Sequence, residues 1–221
     1  MDKPALLIVQ ARVKAVHTEL RAGGAPYWTH PIRCHEQLMR CWGSAPLEVE
    51  IAMLFHDTLE DIEGGEHAIQ SALNDIRDAC PALNDEKVFA LVRDVTTPQD
   101  VAKEQAIEQI KQRFSKGRVN AEAYLLKAVD IRDNTTDILD GYEKSPEDED
   151  VQRHLSSNKL QKYTGYINAV RCGLNRNQKF EKIYTVELHT AISITIGDVR
   201  ANLNKIAALL GEDQPVFPGY R

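Results

Sequence analysis

The run Ile51-Ala52-Met53-Leu54-Phe55 is apolar on every side of a helix and is followed at once by His56-Asp57. A helix that is apolar all round has to be buried. An aspartate beside such a core is costly unless a cation or strong hydrogen bonds compensate it. One turn later stand Glu60 and Asp61; on a continuous helix His56 shares a face with Glu60, and Asp57 with Asp61. Taken alone, the cluster also fits a solvated helix end decorated with acids.

The rest of the chain reads as helix. Leu6, Leu7, Val9, Val13, Val16 and Leu20 recur at helical spacing until Gly23-Gly24 and Pro26 stop them. Thr29 followed by His30-Pro31 predicts an N-cap with proline in the first turn, and Gly43 ends that helix. The apolar helix itself is expected to open at Ser44 to Pro46, run unbroken to about Asp61 and lie at the centre of the fold. Further helices are predicted at about 66–79, 85–95, 100–114 and 120–139, the last ending near Gly141. The acidic stretch Glu143 to Asp150 is expected as a loop, followed by helices over 157–174 and 185–210. The β-branched run from Ala191 to Ile196 leaves the last of these open between helix and strand. The fold class is therefore all-α, an irregular helical bundle.

Composition narrows the function. With 221 residues, 43% hydrophobic and 27% charged, the chain suits one packed domain. Its net charge of −6 argues against a general nucleic-acid binder but leaves room for a local cluster of Lys and Arg holding a small anion. No apolar run approaches the roughly 20 residues that span a bilayer, so no membrane partner is expected. Cys34, Cys41, Cys80 and Cys172 make no CxxC pair or zinc-ribbon spacing and read as small apolar residues of a cytoplasmic protein. Self-association as a homo-oligomer is left open.

Two other segments carry ionisable residues in apolar surroundings. His30 lies in the first turn of its helix, where it can simply pack. Asp130 lies inside Leu125-Leu126-Lys127-Ala128-Val129-Asp130-Ile131, with Asn134 one turn later, where an arginine or a cap can satisfy it. Three such sites together fit one metal centre better than three coincidences. His30, His56, Asp57 and Asp130 supply two imidazoles and two carboxylates, suited to an octahedral Mn²⁺ or Fe²⁺ ahead of a tetrahedral zinc. No thiolate takes part in this reading. His67 is the only histidine between Asp57 and Asp130, so one metal ion is expected rather than two.

Three segments, in order, resemble the landmarks of the HD-type alarmone hydrolases: Arg21 to Pro31 (RAGGAPYWTHP), Leu54 to Asp61 (LFHDTLED) and Lys127 to Asn134 (KAVDIRDN). That family comprises the hydrolase half of the bifunctional Rel/Spo enzymes and the small single-domain alarmone hydrolases. Val92 to Thr97 (VRDVTT) is similar to the segment between the second and third landmarks. The resemblance covers about residues 5–172. It implies an HD hydrolase domain over 1–175, with 176–221 as a C-terminal helical extension packed on it.

The same resemblance implies that His30, His56, Asp57 and Asp130 hold Mn²⁺ and that Glu60 and Asp61 orient and deprotonate the attacking water. It implies Arg21 on phosphate, Asn134 on the sugar-phosphate and Lys159 as a further basic contact. The chain departs from the family pattern in three places. His17 to Leu20 replaces the Gly-Gln pair that precedes the arginine. Ala22 stands where a second basic residue can follow it. Asp133 stands where an aromatic or histidine is common, adding negative charge near a polyphosphate site.

The expected activity is hydrolysis of the 3′-pyrophosphate of ppGpp or pppGpp to GDP or GTP and pyrophosphate. The alternatives are a phosphatase or 5′-nucleotidase for another nucleotide on the same scaffold, and a catalytically silent nucleotide-sensing or antitoxin-like module. The length leaves no room for a synthetase domain.

Overall fold

Helices that are apolar all round go to the middle of a bundle, and two do so here. In the computed structural model, which describes residues 3–21, 24–176 and 186–217, these are α3 (Leu47–Leu54) and the first half of α8 (Ala121–Lys144). Val49 and Ile51 to Phe55 are fully buried, as expected of the chain's most apolar run; Ala123 to Val129 form a second buried run, apolar apart from Lys127. Around them lie α1 (Lys3–Val16), α2 (Thr29–Cys41), the short α4 (Thr58–Asp61), α5 (Gly65–Ile76), α6 (Asp85–Val95) and α7 (Lys103–Ser115). The chain continues through α9 (Glu149–His154), α10 (Ser157–Arg176) and α11 (Val186–Leu210). Every regular element among the described residues is a helix, and the β pairing among them is one isolated bridge between Leu20 and Pro26.

α2 and α6 pack on α3, α10 packs on α7 and α8, and α11 runs along α8. The run from Ala191 to Ile196 is helical: Ala191, Ile192, Thr195 and Ile196 are buried at helical spacing, so packing overrides β-branched propensity. Cys34 and Cys80 are buried and Cys41 and Cys172 half-buried, in line with small apolar roles. A buried pair, the His35 ring donating from Nε2 to Glu50 Oε2 at 2.9 Å, ties α2 to α3. Among the described residues no helix is long and apolar enough to cross a membrane.

Several expected boundaries move for identifiable reasons. α1 ends at Val16 rather than Leu20, because residues 19–27 close a tight loop. Its backbone bonds run from Tyr27 to Glu19, Arg21 to Ala25 and Gly24 to Arg21, each 2.8 Å, with Gly24 at φ +76°. Ala22 and Gly23, part of that loop's expected signal, lie outside the described residues, as do 177–185 at the expected domain boundary. Thr29 is not an N-cap: Trp28 before it is already helical, and the Thr29 hydroxyl donates to Pro26 O at 2.7 Å. The acidic loop contains α9, capped by Asp148 Oδ1, which accepts from the amides of Asp150 and Val151.

The most consequential difference is that the central helix is not continuous to Asp61. It stops at Leu54, residues 55–57 form a turn, and α4 begins at Thr58. α4 is fastened from behind by α5. Gly64 adopts φ +74°, and a Cβ on Gly65 would collide with the carbonyl oxygen of Thr58. We predict that Gly65→Ala costs about 1–3 kcal/mol of stability in urea unfolding by displacing α4, which carries Glu60 and Asp61. An unchanged midpoint would show that the α4–α5 contact is not tight.

Candidate functional site

Successive side chains on a regular helix diverge by about 100°, so His56 and Asp57 could not meet if α3 continued. The turn at 55–57 lets them. His56 Nε2 and Asp57 Oδ2 lie 3.2 Å apart, and both face His30 from the first turn of α2. His30 Nε2 is 3.2 Å from His56 Nε2, 3.4 Å from Asp57 Oδ2 and 3.4 Å from Asp130 Oδ1; His56 Nε2 is 3.8 Å from the same Asp130 oxygen. Three separated stretches of chain thus bring the four expected ligands to one point, with both histidines almost fully buried.

The chemistry of this donor set fits a divalent cation. A metal about 2.1 Å from each of several N and O donors places neighbouring donors about 3.0–3.4 Å apart, near the spacings seen. The tautomers fit as well. His30 Nδ1 meets a carboxylate oxygen of Asp133 at 2.7 Å, and His56 Nδ1 meets Met53 O at 2.8 Å. Both partners only accept, so each Nδ1 carries the proton and each Nε2 lone pair faces the common point. Without a cation, burial opposes charge on the two imidazoles, but the surrounding carboxylates, Asp57 first for His56, outweigh it and hold both well above the ordinary histidine range, so a proton on each Nε2 stands where a cation would displace it. Burial likewise opposes ionisation of Asp57 and Asp130, yet His56 and Lys127 respectively keep them well below the usual carboxylate range. A cluster with this much negative pull is one that a dication satisfies.

Cys34 complicates the set, because its Sγ and the two imidazoles also fall within 4.8 Å of one another. The sulfur is 3.6 Å from His30 Nδ1 and 3.9 Å from Nε2. Being nearly equidistant from both ring nitrogens, it lies along neither lone pair. Burial also pushes its thiol up, away from the thiolate a metal needs. The two carboxylates are therefore the better ligands.

Asp61, at the mouth of the site, opens to solvent. Partial burial, then the charges of Asp57 and Glu60, push its carboxyl up to about 6. Tyr27 stands beside it, donating from its hydroxyl to Asp57 Oδ2 at 2.9 Å and stacking on His17 at 5.1 Å. His17, fully buried, reaches Thr58 Oγ1 at 3.2 Å. The segment that departs from the family pattern before Arg21 thus props Tyr27 and α4 against the site. Glu60 is anchored through Oε2, which accepts from the amide of Thr97 in the Val92 to Thr97 segment at 3.0 Å, and its charge is felt by Asp61, Lys127 and Lys162 around the cluster.

A cleft of about 690 Å³ opens beside these residues, lined in part by Arg21, Tyr27, Asn134, Lys159 and Tyr163. Arg21 donates to Asn134 Oδ1 at 3.0 Å and pairs with Asp137 at 3.0 Å. Asn134 in turn donates to Asp130 Oδ1 at 2.5 Å, so the cleft and the ligand cluster are coupled through one amide. The three residues expected to touch substrate are brought together on this wall.

Sequence reasoning assigned no role to two of the lysines that flank the cluster, Lys127 and Lys162. Lys127 Nζ bonds Asp130 Oδ2 at 2.9 Å and sits 5.1 Å from the Tyr166 ring; Lys162 Nζ lies 5.8 Å from the same ring. Burial and then neighbouring cations lower both Lys159, which feels Lys103 and Arg21, and Lys162, which feels Lys127 and Lys159. Neither Lys159 nor Lys162 has an ion-pair partner within 4.0 Å among the described residues. The available signal was the i, i+3 spacing of Lys159 and Lys162 on one helix face.

Asp61 yields a pH prediction for the metal-free protein. Its folded pKa of about 6 lies above the ordinary aspartate value of 3.8, so its ionisation costs stability as pH rises through that interval. Asp61→Asn should melt with the wild type near pH 4 and increasingly above it up to about pH 7. Equal melting temperatures at pH 7.5 in chelator would refute the crowding of carboxylates at this position.

By sequence, no protein-family model and no curated protein matches the chain. By structure, the chain is similar to a metazoan ortholog of SpoT that hydrolyses ppGpp and plays a role in starvation responses. The likeness has a TM-score of 0.57 at 17% identity and covers 95% of this chain and 96% of that one. The chain has the all-α fold of a ppGpp hydrolase, the fold its three landmark segments resemble.

Proposed function

We propose that the protein is a metal-dependent phosphohydrolase that removes the 3′-pyrophosphate of ppGpp, pppGpp or a related alarmone, with Mn²⁺ as its cofactor. The observation that carries this reading is the convergence of His30, His56, Asp57 and Asp130, with both Nε2 atoms free to coordinate, beside unpaired lysines on an acidic chain. The hard N and O donors favour Mn²⁺ or Fe²⁺ over a structural zinc. When bound, such a cation supplies Lewis acidity, acidifying a water and neutralising phosphate charge.

The chain's residues divide the remaining work. Glu60 and Asp61 orient the attacking water and take its proton; the carboxyl of Asp61 is poised near neutrality for that role. Water adds at the phosphorus bonded to the sugar 3′-oxygen, the P–O3′ bond breaks, and the 3′-oxygen takes up a proton. Arg21, Lys159 and Lys162 hold phosphate oxygens, and Asn134 contacts the sugar-phosphate. All these residues lie in 1–175, where we place the hydrolase unit, reading 176–221 as its helical extension.

The test is phosphate chemistry on a panel of ppGpp, pppGpp, ppApp, NADPH and nucleoside monophosphates, with Mn²⁺ and with chelator. Mn²⁺-dependent pyrophosphate release from ppGpp is expected. Orthophosphate from a monophosphate or NADPH would overturn the substrate assignment. Asp57→Ala should lose metal binding and turnover together, whereas Glu60→Gln should keep the metal and lose on the order of 10²–10⁴-fold in kcat. Lys162→Ala should raise KM more than it lowers kcat; the reverse pattern would remove it from the phosphate contacts.

A further inference from the structure

Asp133 is the least expected charge in the molecule. Compared with the family pattern it reads as a mismatch, an extra anion beside a polyphosphate site. Its surroundings say otherwise. The residue is 2% exposed, and both carboxylate oxygens are fully engaged. Oδ2 accepts from His30 Nδ1 at 2.7 Å and from an Arg33 terminal nitrogen at 2.7 Å; Oδ1 accepts from Arg33 Nε at 2.9 Å and from Gln37 Nε2 at 2.9 Å.

Four donors saturate a carboxylate, so Asp133 has no lone pair left for a cation. The bidentate guanidinium also cancels its charge before a phosphate can sense it. Arg33 and Gln37 lie on the same helix as His30, one and two turns on, so α2 carries both the ring and the clamp that holds the ring's partner. His56, by contrast, has only a backbone carbonyl on its Nδ1, at 2.8 Å. The two imidazoles are therefore supported unequally.

We propose that Asp133, clamped by Arg33 and Gln37, is a positioning residue that fixes the tautomer and orientation of His30 and raises its strength as a metal donor. The inference rests on the metal-site reading above. It predicts that metal affinity, rather than the chemical step, depends on a residue that touches neither metal nor substrate. Partners of this kind typically contribute 10- to 100-fold in metal affinity. A clasp serving only to join α2 and α8 would alter melting temperature and leave affinity alone.

The experiment measures Mn²⁺ affinity of the full chain by competition with a chelator, alongside thermal melts and kcat at saturating Mn²⁺. Asp133→Ala should weaken Mn²⁺ binding 10- to 100-fold while kcat at saturation changes far less. Asp133→Asn, which keeps an acceptor for Nδ1–H without the charge, should recover part of the loss. Because Asp133→Ala leaves Arg33 with Asp137 alone, the Arg33→Ala/Asp133→Ala double variant serves as the folding control and should show the same weakened binding. Wild-type affinity in any folded variant lacking Asp133 overturns the proposal and leaves the metal site standing. No Mn²⁺ binding by the wild type overturns the site and the proposal with it.

Discussion

The arrangement depends on a single interruption of a helix. α3 is apolar because it is central, and a central helix cannot present two neighbouring polar side chains to one point while it stays regular. Breaking it at Phe55, inside the core, turns His56 and Asp57 toward His30. The break leaves little backbone unsatisfied: the amide of Phe55 still bonds Ile51 O, and that of Thr58 bonds Phe55 O. Everything that fixes the turn from outside therefore acts on the site, including the α5 contact behind Thr58 and the His17–Thr58 bond beside it.

Charge is arranged in layers around that point. The innermost layer is two imidazoles with the carboxylates of Asp57 and Asp130; the next is Lys127 on Asp130 and Asp133 on His30. Beyond these, Arg33 balances Asp133, and Asp137 is shared by Arg21 and Arg33. Lys159 and Lys162, which have no acidic partner among the described residues, lie on α10. A chain of net charge −6 thus keeps a local concentration of positive charge beside the cluster.

The convergence of these four residues was partly legible because three of them violate a local rule, Asp130 inside an apolar stretch and the His56-Asp57 pair ending a buried helix, whereas His30 alone carried no such signal. The helical class was legible for a similar reason, since 3.6-residue periodicity survives even in the β-branched run 191–196. What could not be read was the turn at 55–57, because nothing in LFHDTLED breaks a helix; the break follows from what its side chains meet in three dimensions. The role of Asp133 was equally hidden. Its clamp comes from Arg33 and Gln37, about a hundred positions away, and only contact turns an apparent mismatch into a support for His30. Lys162 escaped notice because an exposed cation and an unpaired, half-buried one look alike in a sequence.

On the proposed reading His30, His56, Asp57 and Asp130, and not Cys34, hold the cation. The direct measurement is an anomalous difference map from crystals of the protein grown with Mn²⁺. The account predicts one peak within about 2.0–2.2 Å of both Nε2 atoms and of one oxygen from each aspartate. A peak bonded to Cys34 Sγ, or none between the two imidazoles, would contradict it.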